Sequence, residues 1–160
     1  MRAGKGWAYE GGIRVPLIIK PPNDLEAKII DAPANSMDYY PTILDYTGIG
    51  LNYEQHSDGI SLKPFLEGET RVTHKELFWD FPHYHGSGWT PGRAMRQGPW
   101  KLIYFFEDDV YELYNLDNDI GERNNLATIY PKKFEEMKKL LEVWGDEIGA
   151  EEPYLNQNFN

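Results

Sequence analysis

The chain has 160 residues, 41% of them hydrophobic and 14% aromatic, which suits one domain with a real core and lies outside the range of disordered sequences. Its formal charge of -10, from 16 Lys+Arg against 26 Asp+Glu, repels phosphate backbones and argues against a nucleic-acid partner. With no cysteine there is no disulfide, thiolate metal site or cysteine nucleophile within these residues, and no uncharged run approaches the ~20 apolar residues of a membrane span.

The first feature in chain order is Gly4-Lys5-Gly6, a lysine between two residues that permit close backbone approach or an unusual turn. An ammonium held in such a place supplies a compact positive charge to an anionic oxygen. Glu10 and Arg14 follow, four residues apart around Gly11-Gly12, and their spacing suits an ion pair that fixes the turn presenting Lys5. Val15 to Ile19 is a short apolar run stopped by Pro21-Pro22, and it predicts a buried strand with Pro16 at its start or edge. From Ser36 to Gly48, a capping Ser, Pro41 near the first turn, apolar spacing through Tyr40, Ile43 and Leu44 and a terminal Gly predict a helix. Between Ile49 and Thr73 glycines and prolines punctuate a linker with one helical turn at Leu62 to Leu66, and His56 and His74 read as linker residues.

From Glu76 the texture becomes aromatic strands. Glu76–Phe81, Arg93–Arg96, Trp100–Phe106 and Glu112–Leu116 predict four of them, and Gln97-Gly98-Pro99 predicts a hairpin between the second and third. Phe78 and Ile103 interrupt strict alternation, which suggests a sheet covered on both faces. Thr128 to Gly149 predicts a long helix, with Pro131 in its first turn and a stripe of Phe134, Met137, Leu141, Trp144 and Ile148 aimed at that sheet. The acidic run Glu107-Asp108-Asp109 reads as a solvated turn, and Asp117 to Glu122 lacks the spacing of an EF-hand loop. No metal ligand is assigned anywhere in the chain.

These words, taken in order, resemble one family. Gly4-Lys5-Gly6 with Tyr9-Glu10-Gly11-Gly12-Ile13-Arg14-Val15-Pro16 is similar to the segment that follows the metal-binding loop in type I sulfatases of the arylsulfatase kind. Asp38 with Pro41-Thr42-Ile43-Leu44-Asp45, Asp58-Gly59-Ile60-Ser61-Leu62, Arg96-Gln97-Gly98-Pro99-Trp100-Lys101 and Glu112-Leu113-Tyr114-Asn115-Leu116 with Glu122 and Asn125-Leu126-Ala127 extend the resemblance over nearly the whole chain.

The resemblance implies an α+β chain: the end of an alkaline-phosphatase-like α/β domain (residues 1–50), a linker (51–73), and a small C-terminal subdomain of antiparallel sheet with one long helix (74–160). It implies the C-terminal part of a sulfatase that hydrolyses sulfate esters, with calcium and a formylglycine supplied by a preceding portion. The Cys/Ser-x-Pro-x-Arg motif that generates formylglycine occurs nowhere in these residues, so Met1 is expected to be internal to a longer protein and the chain inactive alone. Lys5 matches the lysine that binds the sulfate group. Glu10 and Arg14 support it. His83 and His85 read by default as a polar strand exit into a glycine loop; the functional alternative is that they line the substrate mouth with Arg93 and Arg96, as loops of the smaller subdomain do in similar enzymes. The substrate implied is a sulfate ester, such as that of a sulfated glycan. Two other readings remain open: a free-standing module that binds a sulfated glycan or protein partner, through a local positive patch of Lys5, Arg14, Arg93, Arg96 and Lys101, and a fragment of a related phosphodiesterase or phosphonate hydrolase.

Overall fold

The computed structural model describes residues 1–23, 26–55, 58–69, 74–154 and 156. The elements run α1 (Glu10–Ile13), a 3-10 turn (Ser36–Asp38), α2 (Tyr39–Thr47), α3 (Lys63–Leu66), β1 (Glu76–Phe81), β2 (Gly92–Gln97), β3 (Trp100–Phe105), β4 (Val110–Asn115) and α4 (Pro131–Glu147). They form two compact units, one of residues 1–15 with 76–160 and one of residues 16–75.

The first unit is built on an antiparallel sheet in the order β1-β2-β3-β4, an unbroken meander. Gly98, at φ 55°, is the first residue of the two-residue turn joining β2 to β3, a backbone conformation glycine adopts without steric cost. Because side chains alternate across a strand, the register places Phe78, Met95, Leu102 and Leu113 abreast on one face. On that face they pack with Met137 and Leu141, with Phe134 and Trp144 alongside, and Phe78 stacks on Trp144 at 4.7 Å between ring centroids. The predicted stripe of α4 is therefore the sheet-covering surface, except that Ile148 lies past the helix end and is exposed.

The opposite face carries Trp79, Ala94, Ile103 and Tyr114 and is covered by the N-terminal segment, through Trp7, Ala8 and Tyr9, together with Trp89. Two covered faces account for the broken alternation of β1 and β3. They also bury polar groups. Glu112 accepts hydrogen bonds from the Tyr9 hydroxyl at 2.6 Å and the Tyr114 hydroxyl at 2.8 Å, and Arg2 donates to the Tyr114 hydroxyl at 2.8 Å.

In the second unit, Asn35 caps the helical segment: its side chain accepts from the Met37 N–H, and Asp38 accepts from the Asn35 N–H. The cap is thus Asn35 rather than Ser36, because the helix opens with a 3-10 turn that shifts the first unpaired N–H groups back by one residue. Gly48 closes α2 at φ 70°. Pro41, Leu44, Leu62 and Phe65 are buried, whereas Tyr40 and Ile43 of the predicted stripe are exposed. The Val15–Ile19 segment differs from expectation more sharply. It is in no sheet, and Val15 and Ile18 are 73% and 93% exposed, since no described strand lies alongside to pair with its backbone.

Burial, and then the Glu112 carboxylate, push the Tyr9 and Tyr114 hydroxyls well above the ordinary tyrosine value of 10. The folded state therefore retains protons that the unfolded chain releases, so this contribution to stability is complete below about pH 10 and is lost as pH rises further. The urea midpoint is expected to fall steeply above pH 10, and to fall less steeply in a Tyr9→Phe/Tyr114→Phe variant; equal slopes would show that other groups control alkaline unfolding.

Candidate functional site

The candidate site is the loop that carries Lys5, and its shape follows from what lies beneath it. Residues 2 to 7 wind over the single turn of α1: the Gly11 N–H donates to the Arg2 carbonyl at 3.0 Å, and a Cβ at Gly11 would strike the Arg2 and Ala3 carbonyls. At Gly12 a Cβ would strike the carbonyls of Gly4 and Trp7. The Glu-Gly-Gly word therefore exists because the Lys5 loop passes directly across the helix turn. Lys5 itself is exposed.

The turn is anchored from below by charge. Lys101 projects from the second position of β3 with its Nζ 3.0 Å from Glu10 Oε1 and 2.8 Å from Glu122 Oε1, and all three side chains are at most 2% exposed. Glu122 Oε2 also accepts from the Glu10 N–H at 2.7 Å, and the Glu122 carbonyl accepts from Arg2 at 2.9 Å. Glu122 holds φ 51°, a strained value for a non-glycine residue that these bonds impose. Burial pushes its carboxyl above the ordinary range, against the pull of Lys101. Arg14 and Arg96 approach Glu10 Oε2 at 3.6 and 3.9 Å. The expected Glu10–Arg14 pair is thus present, but at its outer edge; the principal partner of Glu10 is Lys101.

Beside this platform stands the loop from Phe81 to Trp89. Trp89 is buried and donates to the Phe81 carbonyl at 3.1 Å, and the His85 N–H donates to the Trp89 carbonyl at 3.1 Å. Trp7 donates to the Ser87 carbonyl at 3.1 Å, and a Cβ at Gly6, whose φ is 89°, would fall on the His85 ring and the Ser87 hydroxyl. The second glycine of Gly-Lys-Gly is required for contact with this loop.

The structure therefore brings together the Lys5 loop, Glu10, Arg14, Arg96 and His85. Arg96 is partly buried and also donates to the Gly98 carbonyl at 2.9 Å, which ties it to the hairpin. His83 is exposed and meets the edge of Phe81. Arg93 lies elsewhere. It is three residues from Arg96 along a strand and so faces α4, where its side chain is 6% exposed, bonded to Asp80 at 2.7 Å and paired with Glu152 at 3.3 Å. Arg93 and Lys101 are buried cations consumed in ion pairs, which removes two of the five cations from the positive patch considered for a free-standing binding module.

Sequence reasoning found Arg14 but missed Lys101, the principal partner of Glu10. A lysine inside an apolar strand demands a carboxylate once both sheet faces are covered, and that signal was available in Trp100–Phe105. It also missed His74, whose Nε2 lies 2.9 Å from both carboxylate oxygens of Asp38, itself fully buried and accepting from the Ile60 N–H at 3.0 Å. His74 is a packed partner of α2 rather than a passive linker residue; His56 lies outside the described residues. Among the described residues no group of three or more His, Cys, Asp or Glu side chains is placed to hold a metal ion. The chain likewise has no Cys/Ser-x-Pro-x-Arg motif, so the described residues do not fit calcium, the sequence does not fit formylglycine, and no chemical step here runs through either.

Comparison with known proteins identifies this architecture. A solved 2-O GAG sulfatase superimposes with a TM-score of 0.60 at 33% identity, covering 71% of this chain and 25% of its own. A sulfatase of Formosa agariphila is 36% identical over 144 residues, covering 83% of this chain and 26% of the relative. A Delta 4,5-hexuronate-2-O-sulfatase of Bacteroides thetaiotaomicron is 32% identical over 142 residues, covering 84% of this chain and 29% of the relative. The sheet, the long helix and the wound Gly-Lys-Gly loop thus define the C-terminal region of a sulfatase. More closely, residues 3–145 match the family described as N-sulphoglucosamine sulphohydrolase, C-terminal, and the chain belongs to it. It spans about a quarter of the length of these relatives.

Replacing Lys101 by Ala would leave two buried carboxylates facing each other without the cation between them, with only the longer contacts of Arg14 and Arg96 to Glu10 remaining, a loss of about 3–5 kcal/mol. The expected outcome is a large drop in the urea midpoint with a cooperative transition retained; an unchanged midpoint would mean that Glu10 and Glu122 are held by something other than Lys101.

Proposed function

We propose that this chain is the C-terminal part of an enzyme that hydrolyses sulfate esters of carbohydrates, with Lys5 as the group that holds the sulfate. The observation that carries the reading is the geometry of Lys5: an exposed ammonium on a loop whose backbone is fixed by two glycines below and one beside it. Sulfuryl transfer builds charge on the sulfate and leaving-group oxygens, and a cation already in place stabilises that charge without reorganising. Glu10 and Arg14 act through the turn beneath Lys5 and are positioning residues. His85, with Arg96 on the same side of the sheet, is assigned to the rim that meets the sugar. His83, on the same loop, is a weaker candidate and Arg93 is not one, because its guanidinium is buried.

Sulfated glycan substrates are supported by the names of the relatives, a 2-O GAG sulfatase and a hexuronate-2-O-sulfatase. Calcium and formylglycine belong, in this reading, to a preceding portion of a longer protein. Residues 1 to about 50 then complete that portion's α/β domain, which gives the exposed Val15, Ile18 and Ile29 a surface to cover.

The test is made in the protein encoded by the native reading frame, sequenced upstream of Met1 for a Cys/Ser-x-Pro-x-Arg motif. In that protein Lys5→Ala is expected to lower kcat on a sulfate ester by roughly 10²–10³-fold, the effect of removing one transition-state-stabilising group, with folding and calcium content intact. His85→Ala is expected to raise KM instead. Undiminished turnover by the Lys5→Ala protein would remove Lys5 from the sulfate site.

A further inference from the structure

The loop holding His85 contains an exposed residue that bonds in several directions at once. Ser87 is exposed, yet its hydroxyl oxygen lies 2.9 Å from His85 Nδ1 and 3.3 Å from the Gly6 carbonyl, and its N–H donates to His85 Nδ1 at 3.2 Å. It also accepts, through its carbonyl, the Trp7 indole N–H. One residue therefore reaches the imidazole, the backbone next to Lys5 and the aromatic anchor of the N-terminal segment.

From this geometry we infer that Ser87 is a positioning residue that orients His85 against the Lys5 loop, so that ring and ammonium together present donors to one anionic group; the role of that group as sulfate rests on the function proposed above. A backbone N–H can only donate, so Nδ1 must be the acceptor and the ring proton resides on Nε2. Nε2 is then the free edge of an exposed ring, and it is a donor. The hydroxyl has a single proton, which goes either to Nδ1 at 2.9 Å or to the Gly6 carbonyl at 3.3 Å, so Ser87 stands within bonding reach of both the ring and the backbone adjoining Lys5. The supports beneath are rigid. Trp7 meets the edge of Trp89 at 5.8 Å, Trp89 is buried, and the Gly88 N–H donates to the His85 carbonyl at 2.9 Å in a turn where Gly88 holds φ 93°. Gly6 must be glycine because its Cβ would occupy the space of the ring and the hydroxyl. An imidazole that is merely a polar strand exit requires none of these constraints.

The experiment reads the ring nitrogens of His85 by ¹⁵N NMR in the whole 160-residue chain, with His83 on the same loop as internal control. In the native protein His85 is expected to show an unprotonated Nδ1 and a protonated Nε2, while His83 shows averaged tautomers. Ser87→Ala leaves only the longer backbone N–H bond on Nδ1, so it is expected to move His85 part of the way towards the averaged values and leave His83 and the sheet resonances in place; Ser87→Thr, which keeps the hydroxyl, is expected to restore the native pattern. Titration with inorganic sulfate is then expected to shift the Lys5 and His85 signals, with affinity about fivefold weaker in Ser87→Ala, the size of one net hydrogen bond. His85 nitrogens identical in the native and Ser87→Ala proteins overturn the positioning role, whatever sulfate does. If Ser87→Ala disturbs His85 while sulfate shifts neither His85 nor Lys5 in the native protein, Ser87 positions the ring as inferred, and it is the sulfate reading of Lys5 that fails.

Discussion

The ion cluster around Lys101 is the constraint on which the rest of the first unit depends. An ammonium with no solvent exposure costs several kcal/mol to desolvate, and it is tolerated only because two carboxylates meet it at 3.0 and 2.8 Å. Those carboxylates come from distant places, Glu10 in the N-terminal turn and Glu122 in the loop after β4. The cluster therefore fixes three segments at once. A hydrophobic contact would tolerate sliding by an ångström or two, but a buried charge does not, and this is what holds the N-terminal segment in one register over the sheet.

The precision reaches Lys5 through backbone. Glu10 is bonded at both its N–H and its carboxylate, so α1 cannot turn about its axis, and the carbonyls of the Lys5 loop rest where the side chains of Gly11 and Gly12 would be. Aromatic packing closes the opposite side: Trp7, Tyr9, Trp89 and Phe105 form one contiguous layer, with Tyr9 and Phe105 at 6.3 Å and Trp89 and Phe105 at 5.2 Å. The result is a rigid platform with the exposed ammonium of Lys5 and the exposed imidazole of His85 on adjoining loops. Under the function proposed for Lys5 such rigidity has a chemical purpose, because a cation stabilises a transition state only to the extent that it is already in position.

The second unit uses the same device on a smaller scale. Asp38 is fully buried, and its two oxygens accept from the N–H groups of Ile60 and Asn35 and from His74. Thr42 repeats the pattern, donating to the Asp38 carbonyl at 2.6 Å and accepting from the Leu62 N–H at 2.8 Å. Few apolar side chains are buried here, so polar bonds from α2 do much of the work of ordering the residues that follow it.

The secondary structure was legible in the sequence because it depends on local periodicity and punctuation. Four strands, the Gly98-Pro99 turn, α4 with Pro131 at its start, and the one-turn helix near Pro64 all follow from alternation, from the spacing of apolar residues and from the turn residues. The same information misplaced Val15–Ile19, because an apolar run announces that a strand can be buried and leaves open whether a neighbour exists to bury it. The family, too, was legible, since its words recur in order along the chain. What the sequence by itself determined, then, was the four strands and the three helices α2, α3 and α4, with the position of the Lys5 cation between its two glycines. The tertiary structure alone decided which charges met. Arg93 and Arg96 look equivalent on paper, yet three residues along a strand send them to opposite faces, one into a buried pair with Asp80 and one towards Glu10. Partners as far apart as Glu10, Lys101 and Glu122, or Gly6 and Ser87, are chosen by the way the N-terminal segment closes over the sheet, and no local pattern encodes that closure.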